Sequence, residues 1–276
     1  MTIWEAVLLG IIQGLTEFLP ISSSGHLVLA KYLLGIEITD IAFEVFVHLG
    51  TLLAVLTFFK HDVIVLLKSL RLLISFRLNS KILKGNNEDL DGLRLLGYLI
   101  VATLPAATLG YLFEDKFKQA FSFPEFTCGA LIFTGLILIA SKFAIEKQPK
   151  FNLTKSLLVG LTQVAAILPG ISRSGTTIST GLLLGVQRVE SARFSFLLAV
   201  PLIIGASLMQ GFELISHFHS GEEFVTIVVG TITAYLSGLL AIRWLMGVIQ
   251  HGRFDRFAYY CFSIGIIGLI YFGFNN

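Results

Sequence analysis

Two short polar segments interrupt an otherwise apolar sequence, and both combine hydroxyl, glycine and charged residues. The first runs from Gln13 to His26 (QGLTEFLPISSSGH), and the second runs from Pro169 to Thr177 (PGISRSGTT). In each, serines and a glycine precede a short helix, whose free N–H groups and positive dipole end attract an anion. Serine and threonine hydroxyls at a helix start strengthen that attraction. The two segments therefore predict two anion-binding cradles.

Three ionisable side chains in these segments add the means for catalysis. Arg173 offers two parallel donors suited to phosphate oxygens, whereas Glu17 and His26 can move a proton. Such side chains are costly inside a bilayer, so those found there serve function by default. A carboxylate, an imidazole and an anion cradle together favour phosphoryl chemistry over simple binding. We therefore assign catalysis to Glu17, Ser23, His26 and Arg173, with either Ser23 or an activated water attacking the phosphorus.

The other polar and glycine positions of the two segments are predicted to bind the substrate. They are Gln13, Ser22, Ser24, Gly25, Ser172, Ser174, Gly175 and Thr176. Any single serine among them can instead be only a helix cap. Outside the segments, Glu44 and His48 share one face of a helix, and we expect them either to form a hydrogen-bonded pair that packs on the first segment or to support the site residues from behind.

The composition indicates the environment of these segments. Of the 276 residues, 55% are of the hydrophobic type even before the 26 glycines are counted, and only 14% are charged. Soluble domains reach about 45–50% apolar residues with glycine included, and about 25% charged residues. A soluble protein cannot bury this much apolar surface, so the chain is expected to be an integral membrane protein. A net charge of +2 gives no polybasic surface for nucleic acid.

Six apolar runs approach the roughly 20 residues that a membrane-crossing helix needs. They are about 41–59, 95–113, 126–145, 194–216, 224–244 and 257–274. Residues 3–36 and 156–186 are each broken by a polar segment, and their second halves are too short to cross. Each therefore predicts a re-entrant helical hairpin. Residues 63–76 carry Lys68 and Arg71 and predict an interfacial amphipathic helix.

The lysines and arginines divide unevenly between the two sides that these spans imply. Sixteen fall in the segments of one side: 60–94, 142–155, 188–193 and 243–256. Three fall in the segments of the other side: 31–40, 114–125 and 217–223. Because cytoplasmic loops collect Lys and Arg, the first side is predicted to be cytoplasmic and both termini external. The first hairpin then enters from outside, and we expect the catalytic cavity to open to the external face.

The two broken regions are similar to each other. At an offset of 150, residues 10–36 match residues 160–186 at nine of 27 positions, including an ordered Gln, Ser, Ser and Gly. Three spans follow each region, and an odd number inverts the second copy. Residues 1–276 are thus predicted to form one all-α membrane domain with an inverted repeat, about 1–145 and about 155–276. The two breaks would then meet near the midplane.

Inverted repeats with broken helices are also the architecture of secondary transporters. A lipid-phosphate flippase or secondary transporter is therefore the main alternative to an enzyme. A transporter would use Arg173 and the helix ends but has little need of Glu17, His26 and a serine hydroxyl. Phosphate release in detergent, where no gradient exists, would separate the two functions.

The segments resemble those of the undecaprenyl-diphosphate phosphatases, also known as bacitracin-resistance proteins. The resemblance rests on EFLPISSSGH after Gln13 and on PGISRSG, and it extends to FEV and HLG within 43–50 and to ARFSF and AVP within 192–201. It implies that undecaprenyl diphosphate is hydrolysed to the monophosphate, which recycles the carrier lipid for cell-wall synthesis. It also implies a divalent cation, Mg²⁺ or Ca²⁺. The paired acidic motif of the family falls on Gln13 and Glu17, so this chain has only one carboxylate there.

The resemblance also suggests the location and the partners of the protein. The expected partners are a polyprenyl diphosphate lipid, the bilayer and a second copy of the chain. The expected location is the bacterial inner membrane.

Overall fold

The computed structural model describes residues 1–35, 41–74, 87–146, 150–214 and 221–275, and within these ranges it is helical without β-strands. The α-helices are α1 (Ile3–Phe18), α2 (Ser23–Leu34), α3 (Ile41–Phe58), α4 (Lys60–Ile74), α5 (Asn87–Leu112), α6 (Glu114–Ala120), α7 (Pro124–Ser141), α8 (Leu153–Ala165), α9 (Arg173–Leu183), α10 (Arg188–Leu214), α11 (Gly221–Gln250) and α12 (Phe257–Asn275). A 3₁₀ turn at Phe254–Arg256 precedes α12.

Five stretches of the described helices are long and apolar enough to cross a membrane. They are Asp89–Leu112, Pro124–Ser141, Arg188–Leu208, Phe224–Gln250 and Phe254–Phe274. A sixth candidate is bent by 92° between Phe43–Phe58 and Lys60–Ile74. The chain is therefore an all-helical polytopic membrane protein. The last residues of the predicted span 194–216 and of the predicted helix 63–76 lie outside the described residues.

The region predicted to break near Pro20 does so in the structure. Leu19, which precedes the proline, leaves the helix with ψ at 144°, as the crowding by a proline ring requires. Ser22 then caps α2 by accepting a hydrogen bond from the Gly25 N–H at 3.3 Å. Ser22 is the only non-glycine residue of the described chain with a positive φ, 68°. The break between α1 and α2 is thus a short turn with one strained residue.

The second predicted break lies between α8 and α9. Gly170 adopts a φ of 92°, which glycine allows at no steric cost. Ser172 caps α9 by accepting from the Gly175 N–H at 3.0 Å, but its own φ is an ordinary −73°. The Thr134 hydroxyl from α7 holds this break, because it donates to the Gly170 carbonyl at 2.8 Å and accepts from the Ser172 N–H at 3.0 Å.

The first helix of each broken pair packs against a long helix from the other half of the chain. α1 packs mainly on α11, and α8 packs mainly on α5. Both contacts are close: a Cβ on Gly10 would overlap the Gly230 carbonyl, and a Cβ on Gly160 would overlap that of Ala102. Small residues allow such approach between membrane helices. The long helices thereby fix the positions of both breaks.

Candidate active site

A cavity of about 530 Å³ lies where the two breaks meet α3, α5 and α10. One end is polar and is lined by Glu17, Ser22, Ser23, Ser24, His48, Ser172 and Arg173. The walls from α5 and α10 are apolar and include Ala106, Ala107, Leu202 and Ile203. The cavity therefore matches an amphipathic ligand with one charged end.

The Glu17 carboxylate is the centre of the polar end. Arg173 Nη2 donates to Oε1 at 2.7 Å, and Ser23 Oγ and Gln13 Nε2 donate to Oε2 at 2.6 and 3.0 Å. The side chain is only 8% exposed. A buried carboxylate needs such partners, since an unpaired charge would be strongly destabilising. Three donors, one each from α1, α2 and α9, hold this group in one orientation.

Arg173 is the first residue of α9, where the first backbone N–H groups have no partner within the helix. Besides the bond to Glu17, its Nη1 donates to the Ser195 carbonyl of α10 at 3.1 Å. The side chain is 15% exposed, and it lines the cavity. A fixed, partly exposed guanidinium at a helix start is well suited to bind a phosphate group.

The other residues predicted to bind the substrate divide into two groups. Ser22, Ser24 and Ser172 line the cavity as predicted. Gln13, Gly25, Ser174, Gly175 and Thr176 do not line it. Ser174 instead donates to the Leu19 carbonyl at 3.1 Å, which ties the second break to the first. The cavity is therefore lined by the first residues of each break, whereas the residues further into α9 do not reach it.

His26 is not among the residues that line the cavity. Its Nδ1 lies 2.8 Å from the Ser22 carbonyl oxygen, and its Nε2 lies 2.8 Å from the Tyr260 hydroxyl of α12. Both ring nitrogens thus already have hydrogen-bond partners, and neither partner is Glu17. The sharing of proton transfer between His26 and Glu17 stays a prediction.

His48 is the imidazole that the structure brings to Glu17, with Nε2 3.9 Å from Oε2. Its Nδ1 lies 2.7 Å from the Glu44 carbonyl oxygen, while the Glu44 carboxylate forms an ion pair with Lys31. Glu44 and His48 therefore form the expected hydrogen-bonded pair through the Glu44 backbone, and their side chains reach the first broken helix pair at Lys31 and Glu17. Their spacing predicted a shared helix face, but it could not identify that face as a wall of the cavity.

A second cavity of about 350 Å³ lies at the opposite ends of the same helices. α5 lines it with Asp91 and Arg94, and α10 lines it with Glu190 and Arg193. Arg193 forms ion pairs with Asp62 and Glu190 and thereby ties α10 to α4. These positions belong to the Lys/Arg-rich segments of the sequence, so the two cavities lie towards different sides of the predicted topology.

The sequence profile of the bacitracin resistance protein BacA family matches residues 6–267. The chain belongs to this family. A relative from Salinibacter ruber, named undecaprenyl-diphosphatase, is 41% identical over 98% of this chain and 99% of its own length. Relatives of the same name from Methanobrevibacter smithii (41%, 97% of this chain and 96% of its own length) and Halothermothrix orenii (40%, 99% of both) are equally similar.

The resemblance to this family implied a divalent cation, so the residues at Glu17 matter as possible ligands. Within the described ranges, no cluster of three or more His, Cys, Asp or Glu side chains could hold a metal ion. Glu17 already accepts three hydrogen bonds, and Gln13, which stands at the first acidic position of the family motif, donates to it. The side chains present therefore do not fit a metal cage supplied by the protein alone.

Proposed function

We propose that this protein hydrolyses undecaprenyl diphosphate to undecaprenyl phosphate and inorganic phosphate, and so returns carrier lipid to cell-wall synthesis. The observation that carries the proposal is the Ser23–Glu17–Arg173 cluster at the polar end of a cavity whose walls from α5 and α10 are largely apolar. The names of the similar relatives support the same reaction. The diphosphate would lie at the cluster and the isoprenyl chain along α5 and α10.

Substrate binding relies on the charge and the donors at the two helix starts. Arg173 and the free N–H groups of α2 and α9 hold the phosphate oxygens, with the hydroxyls of Ser22, Ser24 and Ser172 close by. The same donors stabilise the charge that develops on the transferring phosphoryl group. Arg173 already has its guanidinium fixed by Ser195 and Glu17, so it loses little freedom when it meets the substrate.

Ser23 is the nucleophile in this mechanism, and Glu17 is its base. The short hydrogen bond from Ser23 Oγ to Glu17 Oε2 is the arrangement that activates a hydroxyl. Ser23 Oγ bonds to the terminal phosphorus as the bond to the bridging oxygen breaks, and the lipid monophosphate leaves with that electron pair. Glu17 takes the Ser23 proton.

The second step frees the enzyme. Water attacks the phosphoserine, and Ser23 leaves with the proton that Glu17 held. One proton of the water stays on the released phosphate, and the other goes to solvent. The net reaction consumes one water and needs no other reactant.

A divalent cation enters the proposal only with the substrate. Mg²⁺ often binds through substrate phosphates and water with few protein ligands, which suits a site that has a single carboxylate. When bound, the cation would neutralise charge on the diphosphate oxygens. None of the steps above depends on it.

We also propose that the two broken helix pairs are re-entrant hairpins of an inverted repeat. Reciprocal contacts support this: a Cβ on Gly25 would lie 3.0 Å from Gly170 Cα, and one on Gly175 would lie 3.3 Å from Pro20 Cβ. At the offset of 150, Gly25 corresponds to Gly175 and Pro20 to Gly170. Contacts exchanged in this way are what a two-fold relation between the copies produces.

The cavity at Glu17 is proposed to open to the external face of the inner membrane. Its rim includes Glu114 and Lys118 from the Lys/Arg-poor segment 114–125, whereas the ion pairs of Arg193 lie towards the Lys/Arg-rich side. The homodimer expected from the sequence stays a prediction, which crosslinking in native membranes would test.

The decisive experiment is phosphate release from undecaprenyl diphosphate by the purified protein in detergent. We expect release by the parent and by Ser263→Ala, whose hydroxyl donates only to the Tyr259 carbonyl of its own helix. Ser23→Ala should lose about 10²-fold or more of the rate. Parent protein that releases no phosphate in detergent but moves lipid across vesicle membranes would instead establish the transporter.

A further inference from the structure

The turn that presents Ser23 is under backbone strain. Ser22 has a φ of 68° and a ψ of 100°, a conformation that an L-residue adopts rarely. Ser172 occupies the corresponding position of the second break and caps its helix in the same way, but its φ is −73°. Capping therefore does not require the unusual conformation. Such strain persists only where surrounding contacts hold it in place.

His26 supplies one of these contacts. A carbonyl oxygen can only accept, so the Nδ1 that lies 2.8 Å from the Ser22 oxygen must carry a hydrogen and donate. In the neutral ring Nε2 is then an acceptor, and the Tyr260 hydroxyl 2.8 Å away must donate to it. The two rings also stack, with centroids 5.6 Å apart and planes 12° from parallel. Donation thus runs in one direction, from Tyr260 through His26 to the backbone of Ser22.

The neighbouring residue of α12 holds the same turn. Cys261 is buried, and its Sγ donates weakly to the Pro20 carbonyl at 3.6 Å. Two consecutive residues of α12 therefore hold two carbonyls of the first break. Tyr260 holds the Ser22 carbonyl through His26, and Cys261 binds the Pro20 carbonyl directly. Because neither His26 nor Tyr260 lines the cavity, their effect on the site passes through the turn.

We propose that Tyr260 and His26 are positioning residues, which hold the Ser22 carbonyl and thereby aim the Ser23 hydroxyl at Glu17. The inference rests on the proposed role of Ser23. His26 transfers no proton to or from the substrate in this scheme. A displacement of the nucleophile by about 1 Å can cost about 10²-fold in rate, so a small rotation of the turn is enough to matter.

The first test replaces the hydroxyl that orients the ring. Tyr260→Phe should lower kcat about tenfold, with KM within about twofold of the parent, because the substrate groups are untouched. Tyr259→Phe is the matched control, since the neighbouring Tyr259 is 63% exposed. Parent-like kcat in Tyr260→Phe would overturn the proposal.

The second test separates positioning from acid–base catalysis at His26. Asparagine can place an N–H donor near the position of Nδ1 but cannot transfer protons. His26→Asn should therefore retain at least about a tenth of the parent kcat and keep the shape of the pH–rate profile, whereas His26→Ala should lose about 10²-fold. Equal losses in both variants, or loss of one limb of the profile in His26→Asn, would overturn the proposal.

The double variant tests whether Tyr260 acts through His26. Adding Tyr260→Phe to His26→Asn should change kcat less than about twofold, because the acceptor ring is already gone, whereas independent effects would multiply. The result for Ser23→Ala distinguishes the two proposals. Parent-like activity there would refute Ser23 as the nucleophile, while an inactive Ser23→Ala beside a parent-like Tyr260→Phe would refute only the positioning.

Discussion

Ser23 and Arg173 occupy the same position of the two similar segments, 150 residues apart, and each donates to a different oxygen of the Glu17 carboxylate. The residue 150 positions after Glu17 is Ile167, which lies just before the second segment. The two breaks thus share a capping serine, but the next residue carries a hydroxyl in one and a guanidinium in the other. One carboxylate joins them, so the pair forms one site rather than two.

Replacement of Arg173 by lysine should remove most of the activity although the charge is kept. A lysine ammonium is a point charge and cannot bind Glu17 Oε1 and the Ser195 carbonyl while it also offers a planar pair of donors to phosphate. Loss of one such donor in the transition state typically costs about 10²–10³-fold in turnover. Steady-state kinetics would measure this, with the exposed Arg188→Lys as the matched control. Near-parent kcat in Arg173→Lys would mean that the guanidinium only anchors the break.

Glu17→Gln should abolish hydrolysis but leave binding of the lipid diphosphate largely intact. The amide cannot accept the Ser23 proton, and general bases typically contribute about 10²–10⁴-fold. Binding can be followed by protection of the protein against thermal unfolding with added substrate. A residual rate within tenfold of the parent would exclude Glu17 as the base.

Gln13→Glu should have a different effect, because Gln13 now donates to Glu17 at 3.0 Å. A carboxylate at position 13 would face a second carboxylate at that distance, and their repulsion would be relieved by a bound cation. We expect activity that depends more steeply on Mg²⁺ or Ca²⁺ concentration than the parent does. Phosphate release titrated with each cation after chelation would measure the difference, and identical titrations would contradict the expectation.

The sequence identified those site residues whose polar side chains stand out in an apolar chain. Glu17, Ser23 and Arg173 are polar side chains in a strongly apolar chain, so few explanations exist for them besides function. Their convergence followed from the similarity of the two segments. The helix breaks were also predicted, since Pro20 and Gly170 disfavour a continuous helix, and a contact from Thr134 then holds the second break.

The contacts that were missed join distant parts of the chain. His26 was assigned to catalysis as an imidazole in the first segment, but Tyr260 of α12, 234 residues later, is hydrogen-bonded to its Nε2. His48 was paired with Glu44 because both share a helix face, and the structure adds the approach of its Nε2 to Glu17. Helical periodicity tells which residues share a side, but not what covers it.

The predicted sidedness can be tested with single cysteines in described, exposed positions. Ser122→Cys lies in the Lys/Arg-poor segment and Lys142→Cys in a Lys/Arg-rich one, and both would be placed in a background of Cys128→Ala and Cys261→Ser. Serine at position 261 keeps a donor for the Pro20 carbonyl. In intact cells an impermeant thiol reagent should label position 122 and spare position 142 until the membrane is permeabilised. Labelling of both positions in intact cells would refute the topology.

Ser23 Oγ donates to Glu17 Oε2 at 2.6 Å, and a nucleophilic Ser23 activated in this way predicts a covalent intermediate. If Ser23 attacks the phosphorus, substrate labelled in its terminal phosphate should leave acid-stable label on the protein within a single turnover. Rapid quench followed by peptide mapping should locate the label at Ser23. Ser23→Ala should carry none, whereas Ser24→Ala should still be labelled at Ser23, whatever its rate, because its hydroxyl contacts Ser22 and not Glu17. Unlabelled parent protein that turns over normally would show that a water held by Glu17, rather than Ser23, attacks the phosphorus.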